Sequence, residues 1–412
     1  MIVVRRLLSL RVVLLSACIS SALAAGARAA PAEPQPANPW PPIVFYVAKG
    51  EPNACGSGCS EWIAAEGTID ENAHRRLHGF LNRLDRRKLP IYFHAPGGSL
   101  EAAMAIGRMM RERGITAGVG RTVPRGCDPL QEHEAACDSL KRSGRELLAE
   151  LRTARTLCNS ACVYALIGAR VREVGAGARI GVHEIAISRY DERGLPVPVD
   201  RKSLSQAQLK HLQAAEVQLA RYIGGMGIDK ALFDAAAQIG HERVRYLSLN
   251  EIARFGIDPR EFHESRWMTD EGPPGPLAVL KFVVEAKGGA PKDYRTTLIR
   301  LTCGRPGELR VAYSREVLSL DPSASIAVTT RGDAFVLPPP RTKPVLGYND
   351  VRIEDRLARV PVAFFEDAAA GDAIEITPAP DILLPDKPPP ALRLSLDGLA
   401  ESIGTLAKRC RR

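Results

Sequence analysis

Read as alternating apolar and polar positions, the chain has two halves with different periods. In the first half, residues 43–48, 61–69, 90–93 and 115–119 read as strands. Between them Leu77, Phe80, Leu81 and Leu84 recur at helical spacing, behind Asp70 as the expected cap. Ala103, Ile106, Met109 and Met110 mark a second helix that ends near Gly114. Strand–helix–strand alternation with long crossovers predicts an α/β fold with a largely parallel sheet. Residues 121–156 interrupt the alternation: Cys127 and Cys137 bracket an acidic loop, and 140–155 reads as a basic amphipathic helix. Further on, 160–168 reads as helix and 172–182 as strand material. Residues 206–223, 229–239 and 248–255 read as amphipathic helices.

The period changes after Gly272-Pro-Pro-Gly-Pro276. Residues 279–285, 295–302, 308–313, 326–329, 360–365 and 373–377 read as strands separated by Gly, Pro and Asp turns. This predicts a small antiparallel sandwich or barrel. It closes with a helix capped by Asp397, with Leu399, Ile403 and Leu406 on one face. Cys410 would pin that helix to the strand carrying Cys303. The expected organisation is therefore a leader (1–29), an α/β domain (42–264) with the insertion 121–156, a linker (265–276) and a β-rich domain (277–412).

The leader matters for compartment. Arg5, Arg6 and Arg11 precede an apolar run, 12–25, that ends in Ala22-Leu-Ala24 and Ala27-Arg-Ala29. That is the layout of a cleaved secretory signal, and it predicts a periplasmic or otherwise exported protein. Leu15-Ser-Ala-Cys18 also fits a lipobox, so membrane attachment is expected only if Cys18 is lipidated. The remaining eight cysteines, Cys55, Cys59, Cys127, Cys137, Cys158, Cys162, Cys303 and Cys410, are an even set suited to disulfides in an oxidising compartment. Cys158 and Cys162 are expected to tie their loop to Cys127 or Cys137. The three-residue spacings are not those of a zinc knuckle, and no metal is predicted.

The chain has 412 residues, 25% of them charged, and a formal charge of +9. Four of its arginines lie in the leader, and no dense basic run occurs elsewhere. A nucleic-acid partner is not expected, since phosphate binding needs clustered Lys and Arg.

The candidate chemistry sits in three short segments. His94-Ala-Pro-Gly-Gly-Ser99 supplies glycine amides at Gly97 and Gly98. Cys158-Asn-Ser-Ala-Cys162 supplies a hydroxyl at Ser160, and Ile180-Gly-Val-His183 supplies an imidazole at His183. A serine at a helix N-terminus has N–H groups aimed at any oxyanion it generates, and a histidine can act as its general base. Ser160 alone would serve as a helix cap, and His183 alone as a structural histidine. The two glycines permit a tight turn under either reading. His94 is expected to pack, and Arg331-Gly-Asp333 to be a turn.

In this order, and together with residues 246–257, these segments resemble the ClpP/crotonase superfamily, specifically its ClpP-like serine peptidase branch. The resemblance spans residues 61–257. It implies a repeated ββα fold, an oxyanion hole from Gly97, Gly98 and Ala161, Ser160 as nucleophile and His183 as base. It also implies a peptide or unfolded polypeptide as substrate, assembly into homo-oligomers, and no organic cofactor. The family's catalytic Asp lies eight residues before the serine matched by Ser248. That position is Gly240 here, and Glu242 is the one displaced substitute. The resemblance thus leaves two main outcomes: a Ser–His hydrolase, or a degenerate binding or assembly module. An acyl-CoA enzyme of the crotonase type conflicts with export. The insertion 121–156 is expected to lie over the site.

Overall fold

The computed structural model describes residues 40–85, 87–128, 134–190, 196–270, 277–287, 293–317, 325–340, 345–346, 352–371, 373–377 and 391–410. The expected leader, with Cys18, lies outside the described residues. The first elements are β1 (Val44–Lys49), β2 (Glu61–Glu66), α1 (Ala73–Arg83), β3 (Ile91–His94), α2 (Leu100–Arg113) and β4 (Ala117–Val119). They are followed by β5 (Arg121–Pro124), α3 (Ala135–Lys141), β6 (Leu147–Arg152), β7 (Leu157–Asn159), α4 (Ala161–Gly168), β8 (Arg172–Val174) and β9 (Arg179–Val182). A hairpin, β10 (Ser188–Tyr190) and β11 (Pro196–Pro198), leads to α5 (Gln206–Gly225), α6 (Ala231–Ala237), β12 (Arg245–Tyr246) and α7 (Leu249–Arg254).

Seven strands pair in the order β5-β6-β1-β2-β3-β4-β8. The contacts β6–β1, β2–β3, β3–β4 and β4–β8 are parallel, while β1–β2 and β5–β6 are antiparallel. The sheet is thus largely parallel, and β3 and β4 are buried throughout, as strands covered on both faces are. Ser99 caps α2 by accepting from Ala102 N at 3.3 Å, and Gly114, at φ +64°, ends it. Helix α4 is buried along its whole length. It meets α2 at backbone distance, because a Cβ on Gly168 would lie 2.1 Å from Gly107 Cα.

Two local expectations change. Residues 140–155 are not one helix: α3 ends at Lys141, Gly144 takes φ +75°, and β6 follows. The alternating burial of Leu147, Ala149 and Leu151 has the two-residue period of a strand. The described strands of the segment, β5 and β6, extend the main sheet beyond β1. At α1 the N-cap is Asn72; Asp70 instead accepts from Asn72 N at 3.0 Å and pairs with Arg76.

The second half contains β13 (Phe262–Glu264), β14 (Met268–Asp270), β15 (Ala278–Lys287), β16 (Asp293–Cys303) and β17 (Glu308–Val317). Next come β18 (Ile326–Thr329), β19 (Ala334–Leu337), β20 (Val345–Leu346), β21 (Arg352–Pro361), α8 (Val362–Ala369), β22 (Ile374–Thr377), β23 (Leu392–Leu394) and α9 (Leu399–Cys410). These strands form two antiparallel sheets, β13-β15-β16-β17-β21-β20, with β14 also on β15, and β19-β18-β22-β23. They share one apolar core with α8 and α9. The stretch 360–365 switches from strand to helix at Pro361, which the unbroken apolar run conceals. Of the expected linker, Trp267 is core and Met268–Asp270 is strand; 271–276 lie outside the described residues.

Both halves belong to one compact unit, Pro39–Arg412. Ala154 packs with Leu280, and Ala176 with Val284 and Tyr294, so the second half meets the starts of β7 and β9. The eight cysteines form four bridges: Cys55–Cys59, Cys127–Cys137, Cys158–Cys162 and Cys303–Cys410. Cys158 and Cys162 pair with each other instead of with Cys127 or Cys137.

Candidate active site

The three segments singled out in the sequence converge at the ends of β3, β7 and β9. Strands β7 and β9 are parallel, with Cys158 opposite Ile180 and Asn159 opposite Gly181. Ser160 N extends this pairing by donating to Gly181 O at 2.7 Å. On its other side β7 is bound to the continuation of β3. Asn159 N donates to Ala95 O at 3.0 Å, and Ala95 N to Leu157 O at 3.1 Å. Ser160 and His183 therefore leave adjacent strands at the same end.

Ser160 has φ +53° and ψ −124°. A non-glycine residue there carries a backbone cost of about 1–3 kcal/mol, so its surroundings must hold it. They do so from both sides: β7 is clamped between strand neighbours, α4 is buried, and Cys158–Cys162 closes across the turn. This is a sharp strand-to-helix turn of the kind that displays a nucleophile. Although Ser160 occupies the N-cap of α4, its hydroxyl makes no cap hydrogen bond.

Gly97 lies directly against Ser160. A Cβ at Gly97 would sit 2.7 Å from Ser160 Cβ and 3.2 Å from its Oγ, and its φ of +119° already excludes most side chains. Gly98 is equally constrained, since a Cβ there would lie 2.2 Å from Ile69 O. The turn is anchored by Ile69 N donating to Gly97 O at 2.8 Å and Ser99 N to Ile69 O at 2.6 Å. Among the described residues the N–H groups of Gly97, Gly98 and Ala161 donate to no backbone carbonyl.

His183 Nδ1 lies 2.7 Å from Glu184 O. A carbonyl only accepts, so Nδ1 carries a proton, which leaves Nε2 as the acceptor whenever the ring is neutral. Ser160 and His183 share no side-chain hydrogen bond among the described residues. Residue 184 is itself held. Its N–H donates to Ile239 O at 2.8 Å, and its carboxylate lies 3.4 Å from His241 N, 3.5 Å from His241 Nδ1 and 3.9 Å from Arg201 Nη1.

Glu242 is 62% exposed, with its carboxylate beside His241 Nδ1 at 3.9 Å and Arg243 Nε at 3.6 Å. Ser248 caps α7 in a reciprocal capping box with Glu251. His94 is buried, stacks edge-on against Trp40 and accepts from Leu157 N at 3.2 Å through Nδ1, so it bears on the position of β7. Among the described residues no group of three or more His, Cys, Asp or Glu is arranged to hold a metal ion.

Two neighbours were not singled out in the sequence. Asn159 is buried, its Oδ1 has no hydrogen-bond partner among the described residues, and it packs on Gly181, where a Cβ would come within 2.4 Å of that oxygen. Glu184 contributes a main-chain carbonyl, which no residue type announces.

No protein-family profile matches the chain, and no curated protein matches it either. Solved structures do. A 1510-N membrane-bound stomatin-specific protease, solved as a point mutant, aligns with 52% of this chain and 78% of its own, at 13% identity and a TM-score of 0.28. A different point mutant of that protease, in complex with a substrate peptide, covers 52% and 74%, at 13% identity and 0.29. A point mutant of ClpP1 from Listeria monocytogenes covers 47% and 88%, at 16% identity and 0.28.

Proposed function

We propose that the protein is an exported serine hydrolase acting on peptides or unfolded polypeptide. In this reading Ser160 Oγ attacks the substrate carbonyl carbon while His183 Nε2 takes its proton. The amides of Gly97, Gly98 and Ala161 stabilise the tetrahedral oxyanion, and the imidazolium then protonates the leaving amine. Water, deprotonated by the same imidazole, releases the acyl group from Ser160. The observation that carries this reading is the backbone of Ser160, held at positive φ against Gly97 and beside the end of the strand that leads to His183. A serine used only as a cap has no need of that conformation. The four disulfides support an oxidising compartment, and with it export.

A second reading, a degenerate binding or assembly module of the same architecture, is favoured by the missing hydrogen bond between Ser160 and His183. Catalytic hydrogen bonds are often long until substrate is bound, so the two readings separate by experiment. A fluorophosphonate probe should label the wild type and not Ser160→Ala. Wild type that stays unlabelled would favour the binding module.

A further inference from the structure

We infer that Glu184 and His241 are positioning residues for His183, with the main-chain carbonyl of Glu184 taking the part that a buried carboxylate plays in a three-membered site. The inference rests on the Ser160–His183 reading and extends it to how the base is oriented. An imidazole that must accept through Nε2 needs its other nitrogen held by an acceptor, which fixes both tautomer and ring plane. At His183 that acceptor is Glu184 O, at 2.7 Å. A carbonyl in the next residue orients a ring only as well as that residue is held, and the N–H and side chain of residue 184 are both held.

One short segment, 239–241, grips residue 184 at two points. Ile239 O accepts from Glu184 N at 2.8 Å, while His241 meets the Glu184 carboxylate through its main-chain N–H at 3.4 Å and its ring Nδ1 at 3.5 Å. Arg201 Nη1 lies 3.9 Å from the same carboxylate and bonds Glu216 of α5 at 2.9 Å. The segment where the ClpP-like pattern would place an acid, at Gly240, thus still serves the base, but through residue 184. A carbonyl is neutral. It selects the tautomer without adding the electrostatic stabilisation of imidazolium that a carboxylate gives, so a slow but tautomer-correct base is expected.

The test uses the full-length protein and two independent readouts. The first is the rate of fluorophosphonate labelling, resolved into maximal rate and half-saturating probe concentration. Glu184→Ala and His241→Ala should lower the maximal rate on the order of tenfold or more. Half-saturation and thermal melting should stay unchanged. Glu184→Gln, which keeps an acceptor for His241 N–H, should retain most of the rate, and Glu242→Ala should match wild type. Unaltered labelling in Glu184→Ala and His241→Ala, or a loss confined to Glu242→Ala, would overturn the inference. The second readout is long-range nitrogen–proton NMR of the His183 ring, assigned by difference from His183→Ala. It should show the Nδ1–H tautomer in wild type and a mixture in His241→Ala. An Nε2–H ring in wild type overturns the inference whatever the probe does, whereas an Nδ1–H ring in an unlabelled wild type leaves the positioning standing and removes only the hydrolase reading.

Discussion

Replacing Lys141 with Met should destabilise the protein more than any ordinary surface change. The Lys141 ammonium at the end of α3 lies 2.7 Å from Glu66 Oε2, and both side chains are almost wholly buried, at 6% and 5% exposure. Glu66 ends β2 directly opposite His94, so this pair ties the 121–156 segment to the strand beside the site. Without Lys141, the carboxylate keeps two neutral donors, Tyr46 OH at 3.1 Å and Thr122 N at 2.7 Å, and stays buried with its charge no longer balanced by the ammonium. Removing one partner of a buried ion pair typically costs about 3–5 kcal/mol, a large share of the roughly 5–15 kcal/mol that holds a domain folded. Met fills nearly the volume of the lysine stem, so the loss reports charge more than packing. Glu66→Gln in the same background should recover most of it. The amide oxygen can take the Thr122 N–H, and its nitrogen can donate to the Tyr46 oxygen. Urea unfolding, with the denaturant slope checked for constancy, measures both variants. A single-variant loss below about 1 kcal/mol, or a double variant no better than the single, would refute the reasoning.

Acid sensitivity should centre on His263. Burial first, then the nearby Arg260 guanidinium, lowers this imidazole to about 4, and neither ring nitrogen has a hydrogen-bond partner among the described residues. Between pH 6.5 and 4 the unfolded chain binds a proton that the folded chain refuses, so stability is full above that window and falls by up to about 3 kcal/mol across it. His263→Gln should flatten this limb in urea titrations at several pH values, and parallel limbs would count against the assignment. The Cys303–Cys410 bridge spans a sequence separation of 107, which the chain-entropy picture values at roughly 4–5 kcal/mol. Cys303→Ser/Cys410→Ser should therefore cost more in urea unfolding than Cys55→Ser/Cys59→Ser, whose bridge spans only 4. The reverse order would show that strain or residual structure dominates.

Strands β2, β3 and β4 were legible because they are buried on both faces and stand between turn residues. The helices α2 and α5 declared themselves by period, and Gly114 marked the end of α2. What misled was composition overriding period. The basic residues of 140–155 suggested an amphipathic helix, while the alternating burial of Leu147 to Leu151 belongs to a strand. At 360–365 one apolar run serves two elements, and only Pro361 marks the change. Cysteine count indicated bridging, and the closing helix pointed to Cys303–Cys410, but the pairing of Cys158 with Cys162 was not legible. The site was legible as an ordered set of small-residue turns, yet its geometry was not. A positive φ at Ser160 arises from the strands and bridge around it, and the Glu184 carbonyl is a group every residue possesses.

The Gly107–Gly168 contact has a bearing on how this protein could be altered. Helix α4 has no adjustable joint: its start is stapled by a disulfide and its far end rests backbone on backbone against α2. Side-chain changes along it cannot be absorbed by a small slide or tilt, so drift and engineering alike should find little tolerance there.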